Sequence, residues 1–77
     1  MENDIEEAWK DYRLKVVPLD APVLQVVECR RAFYAGVSAV VKMAAAAGGM
    51  SPHTARTLGG FQRECERFQA QVQSGRA

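Results

Sequence analysis

DAPVLQVVECRRAFYAGVSAVVKMAAAAGG, from Asp20 to Gly49, decides the fold. Asp20 reads as an N-cap, whose carboxylate accepts from free backbone N–H groups. Pro22 falls in a first turn, where its missing N–H costs little. Gly48 and Gly49 supply the left-handed residue that ends a helix. Between these signals there is no proline and only one glycine, Gly36. About 27 residues at 1.5 Å each make a rod of roughly 40 Å, whereas a compact chain of this length has a radius of gyration near 11–12 Å. Two apolar stripes run along the rod. One is Val23, Val27, Arg30, Tyr34, Val37, Val41 and Ala44; the other is Val26, Cys29, Phe33, Gly36, Val40, Met43 and Ala47. Gln25, Glu28, Arg31, Ser38 and Lys42 form a narrow polar band. A helix apolar over most of its circumference needs cover on two sides. The rest of the chain can supply one side and a second copy the other, so Phe33, Gly36, Val37 and Val40 are the expected oligomer contacts.

Upstream, Asn3 and Glu6 have the spacing of a capping box, and Ile5, Ala8, Trp9, Tyr12 and Val16 share one helical face. Acids lead this helix (Asp4, Glu6, Glu7) and bases close it (Lys10, Arg13, Lys15), which complements the helix dipole. Pro18 excludes helical backbone at Val17 and ends the helix there. Trp9 is the expected core anchor. Downstream, Ser51 and Pro52 restart a helix. Leu58, Phe61, Cys65, Phe68 and Val72 then repeat at steps of three and four, a seam that fits one neighbouring helix. Arg63, Glu64, Glu66 and Arg67 read as its solvated face. Gly59–Gly60 weakens this helix and reads as a close helix crossing, with a kink or hinge as alternatives.

The predicted architecture is therefore all-α: one domain over residues 1–77, with helices at about 4–17, 21–47 and 52–72. The long central helix lies in an antiparallel hairpin, and the whole assembles as a symmetric homo-oligomer. A domain of 77 residues buries a modest fraction of its surface, and oligomerisation is a usual remedy. Two cysteines, Cys29 and Cys65, are no disulfide framework; both lie on apolar stripes and fit a reducing, cytoplasmic setting. The acidic, polar N-terminus does not read as a signal peptide, and the apolar run Val37–Ala47 is too short to span a membrane.

Net charge is +1, which argues against a dedicated nucleic-acid binder. The charge is unevenly spread: residues 1–20 hold six acids and three bases, residues 21–77 seven bases and three acids. A moderately basic body of this kind attracts an anion locally. The sequence carries no catalytic motif and no cofactor motif. His53, the single histidine, rules out a histidine-rich metal site and reads as exposed. Two readings of Arg30 stand. With Tyr34 one turn later, it can hold a phosphate while the ring stacks on a base, with Tyr12, Arg31 and Lys42 around them. Alternatively Arg30 is a buried ion-pair partner of Glu28, Glu64 or Glu66. The segment Met50–Leu58 also resembles the opening of a helix-turn-helix recognition helix, with Thr54 and Arg56 in contact positions; the long helix before it and the near-neutral charge speak against that.

Asp20, Ala21, Pro22, Gln25, Glu28 and Arg30 through Gly36 form the pattern DAPxxQxxExRRAFYAG. It resembles a stretch of short proteins encoded by tailed phages and prophages; with the flanking Trp9 and Val40 region, the resemblance covers somewhat under half of the chain. The resemblance implies a protein of the infected bacterial cytoplasm and brings no residue roles with it. A looser likeness, in size and helix layout, is to the phage anti-CBASS sponges, which are helical, oligomeric and non-enzymatic. It implies a counter-defence sponge for an anionic cyclic oligonucleotide, with itself as partner and no cofactor. The alternatives are a protein-binding inhibitor, a small virion or assembly component, and a helix-turn-helix-like DNA binder.

Overall fold

A computed structural model describes residues 3–77. They form three helices, α1 (Asp4–Val16), α2 (Val23–Ala47) and α3 (Pro52–Gln73), and no strand among the described residues. The molecule measures 43 × 28 × 20 Å with a radius of gyration of 13.7 Å. It is longer than a compact chain of its size because α2 alone spans 25 residues. α3 packs mainly on α2, and α1 rests against both.

The helix boundaries follow the local chemistry, with two departures. Val17 is extended (φ −81°, ψ 128°) ahead of Pro18, and its N–H closes α1 on the Arg13 carbonyl. Ser51 caps α3, accepting from Thr54 N–H at 3.2 Å, with Pro52 just inside. Gly48 and Gly49 both sit at positive φ, 71° and 72°, and end α2. Asp20, in contrast, caps nothing. Ala21 N–H bonds the Pro18 carbonyl and closes a turn over residues 18–21, so α2 starts two residues later, with Pro22 extended (ψ 150°) at its cap. The capping box at Asn3 is also absent: Asn3 makes no side-chain cap bond, because a carboxylate from α3 takes that place.

The core is small. Ile5, Tyr34 and Phe68 form its centre, with Phe33, Val37, Phe61, Cys65 and Val72 packed around them. Trp9, 2% exposed, anchors α1 as expected and meets Phe33 at 5.8 Å between ring centroids. Tyr12 completes this aromatic group, 6.1 Å from Trp9 and 5.7 Å from Phe33. Phe33 and Val37, both half-buried, pack against the core of their own chain. Gly36 and Val40 are exposed, and nothing lies within 4 Å of where a Gly36 Cβ would stand. Gly59 and Gly60 do not mark a helix crossing: α3 runs through them unbroken, and within 4 Å of either added Cβ lies only the Arg63 guanidinium. No helix among the described residues is long and apolar enough to cross a membrane.

Candidate functional site

Glu64 is the residue that changes the reading of the polar centre. It is 4% exposed, not part of a solvated face. Its Oε1 accepts from Ile5 N–H at 2.9 Å and its Oε2 from Glu6 N–H at 2.8 Å. The first turn of any helix presents unpaired N–H groups and a positive dipole end. Here α3 supplies the acceptor for these amides that Asn3 does not, beside the acids Asp4, Glu6 and Glu7 of α1's own first turn. A signal for this was present: Glu64 lies three residues after Phe61 and four before Phe68, within the seam rather than opposite it.

Freed from the capping box, Glu6 turns inward. Its Oε1 accepts from Arg30 at 2.7 Å (Nη2) and 3.2 Å (Nε), and from the Tyr34 hydroxyl at 2.7 Å. Glu64 Oε2 stands 3.3 Å from the same hydroxyl; the single proton favours the shorter contact. Arg30 is therefore an ion-pair partner, but of Glu6 on α1 rather than of Glu28, Glu64 or Glu66. Its guanidinium carbon lies 4.7 Å from the Phe68 centroid and 5.5 Å from that of Tyr34, within cation–π range. Tyr34 is 5% exposed, and its ring is stacked on Phe68 at 3.9 Å and 8°. Burial, then the bond to Glu6, raise the phenol's pKa well above 10.0. The ring that was expected to stack on a base is already stacked inside the fold. Arg30 and Tyr34 belong to a framework cluster that locks α1, α2 and α3 together.

The other candidate residues separate. Tyr12 belongs to the Trp9–Phe33 group, away from the cluster. Arg31 donates through Nε to the backbone oxygen of Ala77 at 2.9 Å and lies 3.7 Å from Glu28. Arg31 and Lys42 do share one feature: both line a groove of about 570 Å³ between α2 and α3. Its floor includes Tyr34, Phe68 and Val72, and its walls carry Ser38, Gln62, Glu66 and Gln69. Cys65 also faces it, its thiol pKa raised by burial and then by the neighbouring Glu64 carboxylate, which keeps it a poor nucleophile. Periodicity placed Arg31 and Lys42 on one band, but the α3 wall opposite them was not legible from α2. Among the described residues no cluster of three or more His, Cys, Asp or Glu side chains could hold a metal ion.

The chain thus belongs to the broad class of small three-helix proteins with a partly polar core. Compared with known proteins, it matches no family model, and neither the curated proteins nor the solved structures include a significant match.

Proposed function

We propose that the protein is a non-enzymatic binding protein, a symmetric homo-oligomer of helical hairpins, that sequesters a small anion of the cyclic-oligonucleotide type in the groove between α2 and α3. The observation that carries this is the groove itself: about 570 Å³, with Arg31 and Lys42 on its α2 wall above a floor of Tyr34, Phe68 and Val72. Its volume falls in the range of small-molecule sites, which are largely apolar with a few placed polar groups. A phosphodiester would lie along Arg31 and Lys42, its bases over the apolar floor, with Gln62 and Gln69 within the same groove to read base edges. This moves the expected ligand contacts from Arg30 and Tyr34 to Arg31 and Lys42. A phage counter-defence role in the infected host cytoplasm accords with the DAPxxQxxExRRAFYAG resemblance.

The test is native mass spectrometry of protein expressed with and without a cyclic-nucleotide immune system, followed by calorimetry with cyclic di- and trinucleotides. Arg31→Ala should bind roughly ten-fold more weakly or worse, the equivalent of one lost charge-assisted hydrogen bond at about 1.5–3 kcal/mol, with its melting temperature little changed. No co-purified ligand and no affinity for any cyclic nucleotide would overturn the proposal.

A second reading, a protein-binding inhibitor or virion component, is favoured by one observation. Leu14, Val16, Leu19, Val23 and Leu24 are all strongly exposed within the stretch where α1 joins α2, and large exposed apolar side chains, where they gather into a patch, mark interaction sites. Stoichiometric capture of one host or virion protein, lost in Leu19→Asp, would select it. Tight duplex binding with steep salt dependence, lost in Arg56→Ala, would select a DNA binder instead.

A further inference from the structure

The outward face of α2 is uncovered along its length. Gln25, Glu28, Ala32, Ala35, Gly36, Ala39, Lys42, Met43 and Ala46 are all exposed. At 100° per residue they occupy one continuous face, opposite buried Tyr34 and Val41. Its two rows repeat at seven residues: Gln25, Ala32, Ala39 and Ala46 in one, Glu28, Ala35 and Lys42 in the other. A seven-residue repeat is the pattern of a seam between two helices, and nothing else in the chain covers this one.

We infer that the occupant is a second copy of α2, packed antiparallel about a two-fold axis between Ala35 and Gly36. Three features select this occupant. First, charge: Glu28 and Lys42 lie on the same row, 7.5 and 6.5 residues to either side of this axis, so an antiparallel two-fold sets Glu28 of each copy within one residue of Lys42 of the other, twice. A parallel pair would set like against like. Second, size: the same symmetry places Ala32 against Ala39, Gln25 against Ala46 and Glu28 next to Met43, so the closest approach falls where side chains are smallest. No Cβ at Gly36 would touch its own chain within 4 Å. Third, exposed bulk finds cover, because Leu24, 70% exposed, comes to Ala47 of the other copy near the seam's end. A two-fold contact of one patch with itself is the commonest way soluble chains assemble.

Ala35, Ala39 and Lys42 also line one side of the groove between α2 and α3, so the seam borders the proposed ligand site; the inference rests on the homo-oligomer of that reading but not on its ligand, and its test uses no ligand. Sedimentation of the full chain from micromolar to millimolar concentration should give twice 8.5 kDa. Ala39→Glu, which sets two carboxylates into the seam, should give the monomer with undiminished helical circular dichroism. Glu28→Lys and Lys42→Glu should each weaken the dimer by roughly ten-fold, and the double exchange Glu28→Lys/Lys42→Glu should restore it to within about three-fold, the coupling expected of a direct pair. A single species at 8.5 kDa throughout, a dimer insensitive to Ala39→Glu, or a double exchange no tighter than the single ones would each overturn the inference.

Discussion

Removing the Glu64 carboxylate tests the framework most directly. Glu64→Ala leaves Ile5 N–H and Glu6 N–H, now bonded at 2.9 and 2.8 Å, without an acceptor in a buried place. A hydrogen bond to a charged group contributes about 1.5–3 kcal/mol, and an orphaned buried donor costs about 1–3 kcal/mol. The two bonds share one acceptor and do not add fully, so a loss of about 3 kcal/mol is expected. A chain of 77 residues has a total stability of about 4–12 kcal/mol at the usual value per residue. One substitution therefore removes a quarter or more of it. At about 4–8 °C per kcal/mol for domains of this size, the melting temperature should fall by about 12–24 °C. Glu64→Gln keeps one carbonyl oxygen for one of the two amides and should lose about half as much. Glu66→Ala, on the exposed neighbour, should change stability by less than about 0.5 kcal/mol. Circular-dichroism melts at neutral pH give the three values, and Trp9 emission reports whether α1 leaves the core first. If Glu64→Ala melts within about 3 °C of the parent, or no lower than Glu66→Ala, α1 is not held by this carboxylate.

Gly59→Ala and Gly60→Ala should each stabilise the protein, by up to about 1 kcal/mol of helix propensity, since the added Cβ meets only the Arg63 guanidinium at 3.5 and 3.9 Å; a lowered melting temperature for either would show that the pair serves a purpose α3 conceals. Tyr34 should make the fold alkali-sensitive: its phenol is held protonated in the folded state by burial and by Glu6, while the unfolded phenol releases its proton near 10.0. That stability is complete below pH 10 and declines as the pH rises beyond it, by up to about 1.4 kcal/mol per pH unit. Tyr34→Phe should abolish this part of the slope in urea melts taken at rising pH, and an unchanged slope would refute the assignment.

Local signals in the sequence foretold what is local in the structure. Pro18 and Ser51–Pro52 act through their own backbone neighbours, and α1 ends and α3 begins where they direct. Trp9 and the Leu58–Val72 seam follow from periodicity alone. Asp20 failed as a cap because a turn closed by Pro18 competes for the same residues, and a preference for caps does not say which of two local solutions wins. Glu64 was misread because polarity outweighed position: a carboxylate on an apolar seam is costly unless something donates to it, and its donors lie 59 and 58 residues away. A separation of 24 residues hid the partner of Arg30. Its pairing was foreseeable from an unpaired charge on an apolar stripe, but the choice of Glu6 depends on how α1 docks. Arg31 and Lys42 could be placed on one band, while the wall facing them depends on α3.

The contact between the start of α1 and the middle of α3 also sets an order of events on the ribosome. Ile5 and Glu64 are separated by 59 residues, so at roughly 5–20 residues per second the first helix waits about 3–12 s for the group that caps it. During that interval Trp9 and Phe33 can meet, because α1 and α2 have both been made, but the amides of α1's first turn have only water to bond. The cap of α1 is thus completed only after Glu64 has been made, although α1 is synthesised well before it, and the nascent chain passes through a stage in which α2 is complete and its inward stripe is still open. A chaperone or a partner that binds that stripe would meet this protein during translation, before α3 arrives to cover it.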